Sequence, residues 1–157
     1  MAGYSAFGTK LGYSTAMTSL DLTTKPSTWD YIGEITNVGG PSISVNTIDV
    51  TSHDSPDAYN QFVAGLIDGG DITLEGNLVS AAAGNDIVDI ANERATVCFY
   101  VKFPTTGTSA SAVSYDSWLF AGVANSFETD APHDGKIGFT AGIKLDGKPF
   151  LTSTYAT

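Results

Sequence analysis

Over residues 71–79 the chain alternates strictly, with Ile72, Leu74, Gly76 and Leu78 on one parity and Asp71, Thr73, Glu75 and Asn77 on the other. That period of two marks a strand with one buried face and one polar, acidic face. The pattern returns over 136–145, where Ile137, Phe139, Ala141, Ile143 and Leu145 share a parity. Segments 31–38, 42–51, 96–103 and 118–128 also read as strands, and a short one at 150–154 follows the turn Asp146-Gly147-Lys148. Gly39-Gly40-Pro41 breaks the first two apart. Within 42–51, Ile43 and Val45 lie on one parity but Ile48 and Val50 on the other. Side chains alternate faces with each residue, so this switch predicts a bulge or bend near Asn46-Thr47.

Residues 85–93 change period: Ile87, Val88, Ile90 and Ala91 form an apolar stripe at helical spacing, with Asn85 or Asp86 near the cap. Two stretches keep no clear period. Segment 1–28, with sixteen Gly, Ala, Ser or Thr residues, reads as an extended arm without a core of its own, leaving 29–157 as the domain. Segment 52–70 reads as a long loop, with a capped turn at Ser55-Pro56 and an apolar set in Tyr59, Phe62, Val63 and Leu66. Loops of that length are rarely without function, so it packs either on its own core or on another subunit. The connections are mostly too short for parallel crossovers. The expected fold is therefore mainly β, antiparallel, with six or seven strands and one packed helix.

Charge sharpens this reading. Between Lys25 and Arg94 the chain has no base and eleven acids, so residues 30–93 carry −11 while 94–157 sum to zero. A protein that binds nucleic acid through its phosphates needs clustered bases; this block would repel a polyanion. Charged residues are only 15% of the chain, so much of the surface is neutral and suited to being covered by neighbours.

Candidate chemistry is sparse. Cys98 stands alone in a predicted strand without a nearby base and reads as an inert packing residue. His53 and His133 each sit beside an aspartate in a predicted loop, with no nucleophile placed near them. No phosphate-binding glycine pattern, serine elbow or zinc spacing occurs, and Asp54, Asp57, Asp68 and Asp71 match no calcium loop. No catalytic, cofactor or metal site is therefore expected. No window approaches membrane-spanning length and the first residues lack a basic-then-apolar leader, so a soluble protein is expected.

The order of short motifs carries more. From Trp29 the chain reads Trp-Asp-Tyr-Ile-Gly-Glu, then a Gly-Pro turn, then Ile-Asp-Val-Thr followed by Asp-Ser, then Gly-Leu-Ile-Asp-Gly-Gly leading into the 71–79 strand. This order and spacing resembles the tail tube (major tail) proteins of long-tailed bacteriophages with flexible tails. The resemblance extends through the helix, the Val-Lys-Phe-Pro segment at 101–104 and the Gly-Lys-Pro turn at 147–149. It implies a β-sandwich-like or barrel-like non-enzymatic subunit, assembled as hexameric rings stacked into a tube. The lumen of such a tube is negative and conducts DNA without specific binding. It implies tape-measure and tail terminator proteins as partners, assembly in the host cytoplasm and residence in the virion tail.

On this reading Asp71 and Glu75, with Glu34 and Asp49 as further candidates, face the lumen. Tyr59, Phe62, Val63 and Leu66 contact other subunits, and Phe7, Leu11 and Leu22 anchor the arm on a neighbour. Tubes of phage-derived particles and secretion devices share the fold family, so the resemblance leaves them open. A carbohydrate-binding β-sandwich is the alternative of another class, with exposed Trp29, Tyr31, Tyr115 or Trp118 stacking on sugars.

Overall fold

The alternating segments pair antiparallel throughout a computed structural model that describes residues 7–15, 30–78, 83–106 and 114–153. The strands are β1 (Lys10–Ser14), β2 (Asp30–Ile32), β3 (Ile35–Gly39), β4 (Ser44–Asp49), β5 (Phe62–Asp68), β6 (Asp71–Asn77), β7 (Val97–Thr106), β8 (Ser114–Asp130), β9 (Gly138–Leu145) and β10 (Phe150–Ser153). The helix α1 (Ala83–Glu93) lies between β6 and β7. The main sheet runs β2-β1-β7-β8-β9-β6-β3, β10 pairs with β8, and β4 with β5 makes a separate two-stranded hairpin.

Two bent stretches shape the sheet. β8 pairs with β7 up to Gly122 and with β9 from Gly122 onward, and its register slips at Ala124/Ser126 where it changes direction. The segment expected as one strand over 31–38 is likewise divided: β2 pairs with β1, β3 pairs with β6, and Glu34 between them has φ 59°. β2 and β3 end the strand order at opposite sides, yet only Gly33 and Glu34 separate them. Three Cα steps span at most about 11 Å. The two ends of the sheet are thus brought together and it curls, barrel-like, around its core.

Leu11, Ile72, Leu74, Phe99, Phe120 and Ile143 line the interior, each at most 1% exposed, and α1 adds Ile87 and Ile90. Rings stack at Phe99–Phe120 and Phe127–Phe139, with centroids 5.6 and 5.7 Å apart. Cys98, Tyr100 and Leu119, which alternate with the interior residues along β7 and β8, form a second buried cluster. Central strands covered on both faces follow from this arrangement. α1 ends where Arg94 turns left-handed, φ 52°, with its N–H donating to the Ala91 carbonyl.

Besides the divided 31–38 segment and a strand count of ten rather than six or seven among the described residues, three expectations need correction. Residues 10–14 are not part of a coreless arm: β1 sits between β2 and β7, and Leu11 is fully buried opposite Ile32 and Val101. Segment 52–70 is not all loop, since residues 62–68 are β5 and a short 3-10 turn spans Pro56–Ala58. Ile137 precedes β9 and is half exposed, whereas Phe139, Ala141, Ile143 and Leu145 are buried as their parity demands. The predicted register break in the second strand falls between Val45 and Thr47, with the extra residue on the partner strand β5.

Candidate functional site

Residues directly opposite in an antiparallel pair share a face, so the outer surface of β8-β9-β6-β3 can be read across the ladder. One row is Asn37, Glu75, Thr140 and Glu128; the next is Gly39, Thr73, Gly142 and Ser126. To either side lie Asn77, Gly138 and Asp130, and Asp71, Lys144 and Val123. Every acid of β6, β9, β3 and residues 123–130 of β8, namely Asp71, Glu75, Glu128 and Asp130, is exposed on this one face. The rest is hydroxyl, amide and glycine. Lys144 is the single base there, and its Nζ is held 3.0 and 3.2 Å from the two oxygens of Asp68.

The structure brings Asp71 and Glu75 together and adds Glu128 and Asp130, which the sequence reading missed. Glu75 Oε2 accepts from Asn37 Nδ2 at 3.2 Å, tying β6 to β3. Glu34, in the link before β3, adjoins this face: its carbonyl accepts from the Asn77 N–H at 2.9 Å, and its carboxylate lies 3.5 Å from the Asn77 amide. Asp49 does not belong with them. It lies on β4 opposite Phe62, and its carboxylate accepts from the Thr51 hydroxyl and N–H, which lowers its pKa from the ordinary carboxylate value.

No described strand pairs with the far side of β3, nor with residues 123–130 of β8 on the side away from β9. Among the described residues the acid-faced sheet therefore ends in two edges without a strand partner, the kind of edge that can take another strand.

The hairpin exposes apolar side chains on both faces. Tyr59, Phe62, Val63 and Leu66 are 75%, 58%, 52% and 88% exposed, and Val45, Ile48 and Ile67 accompany them. Much of their apolar surface therefore stays in water in the isolated subunit, most of all that of Leu66 and Tyr59. Of the arm residues, Phe7 is 92% exposed, Leu11 is core, and Leu22 lies outside the described residues.

At the base of the hairpin, Asp68 Oδ1 accepts from the Gly70 N–H at 2.8 Å as well as from Lys144. The Gly70 N–H, then Lys144, lower the Asp68 pKa, and Asp68 in turn raises that of Lys144. A depressed carboxylate keeps its contribution above the ordinary range and loses it as pH falls through the depressed value. The pair thus persists through neutral and mildly acidic solution.

Burial pushes the Cys98 thiol up to about 11, which makes it a poor nucleophile at neutral pH. His53 and His133 are exposed in turns, and among the described residues no His, Cys, Asp and Glu side chains cluster as a metal site. No described helix is long and apolar enough to cross a membrane. Trp118 packs edge-on against Phe103 at 4.9 Å and adjoins the core rather than presenting a sugar platform. Tyr31 is half exposed with Lys10 over its ring, Trp29 lies outside the described residues, and the structure does not describe the Tyr115 side chain.

No protein-family model matches the chain, and no curated protein matches it in sequence. Solved structures do match in fold. A chain from the virion of a native gene transfer agent particle is 16% identical with a TM-score of 0.66, over 96% of this chain and 100% of that one. The SPP1 tail tube is 11% identical with a TM-score of 0.60, over 94% of this chain and 78% of that one. The sheath–tube complex of an extracellular contractile injection system, PVC, contains a chain 13% identical with a TM-score of 0.63, over 93% of this chain and 88% of that one. This chain has the tail tube fold. The same fold thus serves both a phage tail tube and an injection-system assembly, and the antiparallel sheet with one helix expected from the sequence is its architecture.

Proposed function

We propose that this protein is the structural, non-enzymatic subunit of a tail tube, forming hexameric rings that stack around a negatively charged channel for DNA. The observation that carries the reading is the four-stranded sheet whose outer face gathers Asp71, Glu75, Glu128 and Asp130 and whose two edges have no strand partner among the described residues. Joining the β3 edge of one copy to the β8 edge of the next is a heterologous contact, which closes into a ring when the rotation fits. Each copy then contributes the same carboxylates to one continuous inner wall. The acids repel phosphate over about 8–10 Å at ordinary salt, and the hydroxyl and glycine rows between them offer no cation to grip it.

The exposed hairpin serves stacking between rings. Tape-measure and terminator proteins are the further partners, with assembly in the host cytoplasm and residence in the virion tail. The likeness to gene transfer and injection particles supports the tube role equally for a phage-derived device.

Negative-stain microscopy of the concentrated protein should show rings or tubes of uniform bore; dispersed monomers at every concentration would sink the reading. The lumen assignment has its own test. Asp71→Lys, Glu75→Lys and Glu128→Lys combined should leave tubes intact and slow DNA release from particles that carry them, measured by dye uptake onto ejected DNA. Normal release kinetics would show that these carboxylates do not line the conduit.

A further inference from the structure

Ladder pairing between β3 and β6 ends at Gly39 opposite Thr73, and pairing between β4 and β5 begins at Ser44 opposite Asp68. The hairpin therefore joins the body through a neck in which the two chain segments form no ladder. Both segments turn there through left-handed glycines, Gly40 at φ 107° and Gly70 at φ 75°. A Cβ on Gly70 would collide with the Ser42 carbonyl, and one on Gly40 would lie 2.7 Å from the Asp71 carbonyl. These turns set where the hairpin departs. Among the described residues the backbone ties the neck to β9 once, where the Leu145 N–H donates to the Gly70 carbonyl at 3.1 Å, and beyond that point the hairpin's direction depends on the side chains that cross the gap.

Lys144 of β9 crosses it. Its direct cross-strand neighbour is Asp71, yet its ammonium reaches past that carboxylate to both oxygens of Asp68, the last residue of the hairpin. The Gly70 N–H fixes Asp68 Oδ1 to receive it. One ammonium between two carboxylates has two discrete arrangements, and only the one observed ties the hairpin to the sheet. We propose that Lys144 and Asp68 form a latch that sets the direction of the β4–β5 hairpin, making Lys144 a positioning residue for the contact with a neighbouring copy. The positioning role rests on the tube reading above; the latch itself does not.

The test uses spin labels at Asp57→Cys on the hairpin and Asp89→Cys on α1, in a Cys98→Ala background, with distances measured by pulsed resonance. In the isolated subunit the distance distribution should be narrow, and Lys144→Met should broaden it. Asp68→Asn keeps an acceptor for the Gly70 N–H and should broaden it equally. Each variant should also raise the concentration needed for polymerisation about two- to fivefold, the scale of one solvent-exposed ion pair. The double variant should be no worse than either single one, because both remove the same contact.

Unchanged distributions in both single variants, or additive effects in the double, would overturn the latch. Broadening with unchanged polymerisation would overturn the positioning role. A parent chain that never polymerises sinks the tube reading instead, and the distance measurement still decides the latch.

Discussion

Leu11→Ala should destabilise the isolated subunit by about 2–5 kcal/mol, the range for truncating a fully buried leucine. Leu11 has no exposed surface and lies on β1 between Ile32 of β2 and Val101 of β7, so its removal leaves a cavity bounded by three strands. Domains of this size are stable by about 5–15 kcal/mol, so one such cavity takes a large share. Deleting residues 2–14 should go further and leave no cooperative unfolding transition. The deletion strips the strand from between β2 and β7 and orphans the backbone groups that pair with both. Phe7→Ala is the control: at 92% exposure it should change stability by no more than about 0.5 kcal/mol. Urea unfolding of the three variants measures this. A Leu11→Ala protein as stable as the parent would restore residues 10–14 to an arm that docks elsewhere.

The reason β1 was hidden in the sequence is physical. A period of two is visible only when one face of a strand is wet. In Lys10-Leu11-Gly12-Tyr13-Ser14, Leu11 is buried on one side and Gly12 and Ser14 on the other, so small and polar residues occupy covered positions and no alternation survives. β6 and β9 were legible because one face is core and the other solvent: the burial of β6 alternates residue by residue from Asp71 to Gly76.

β5 failed for a different reason. The register slip against Val45/Thr47 adds a residue on its side, so Phe62, Val63, Leu66 and Ile67 fall on no single parity and the segment reads as loop. The parity switch at Asn46-Thr47 has another origin: with the extra residue on β5, β4 keeps its own alternation, and Val45 and Ile48 lie on opposite faces of a hairpin that exposes apolar side chains on both. Half of the acidic face was legible through Asp71 and Glu75. Glu128 and Asp130 were masked because residues 94–157 sum to zero. That balance includes Lys136 and Lys148, which the structure puts in exposed turns rather than on the sheet beside them.

Phe62→Ala, and separately Leu66→Ser, should abolish tubes while leaving the subunit folded. Truncating a buried phenylalanine such as Phe120 costs about 3–5 kcal/mol, because the cavity cannot close. Phe62 is 58% exposed and Leu66 88% exposed, on a hairpin that shares no strand pairing with the main sheet, so neither removal opens a cavity in the subunit. Their effect on monomer stability should stay within about 1 kcal/mol. If the hairpin stacks rings as proposed, its apolar surface leaves water there, at about 25 cal/mol per Å² of buried area. That gain repeats in every subunit of every ring, so a loss too small to unfold one chain is multiplied along the polymer. Sedimentation and microscopy at matched concentration, alongside urea unfolding, separate the two effects. Loss of tubes with parental unfolding midpoints is the expected result. A drop in monomer stability on the scale of a core phenylalanine would mean that the hairpin packs on its own subunit, and intact tubes in both variants would remove it from the contacts that build the polymer.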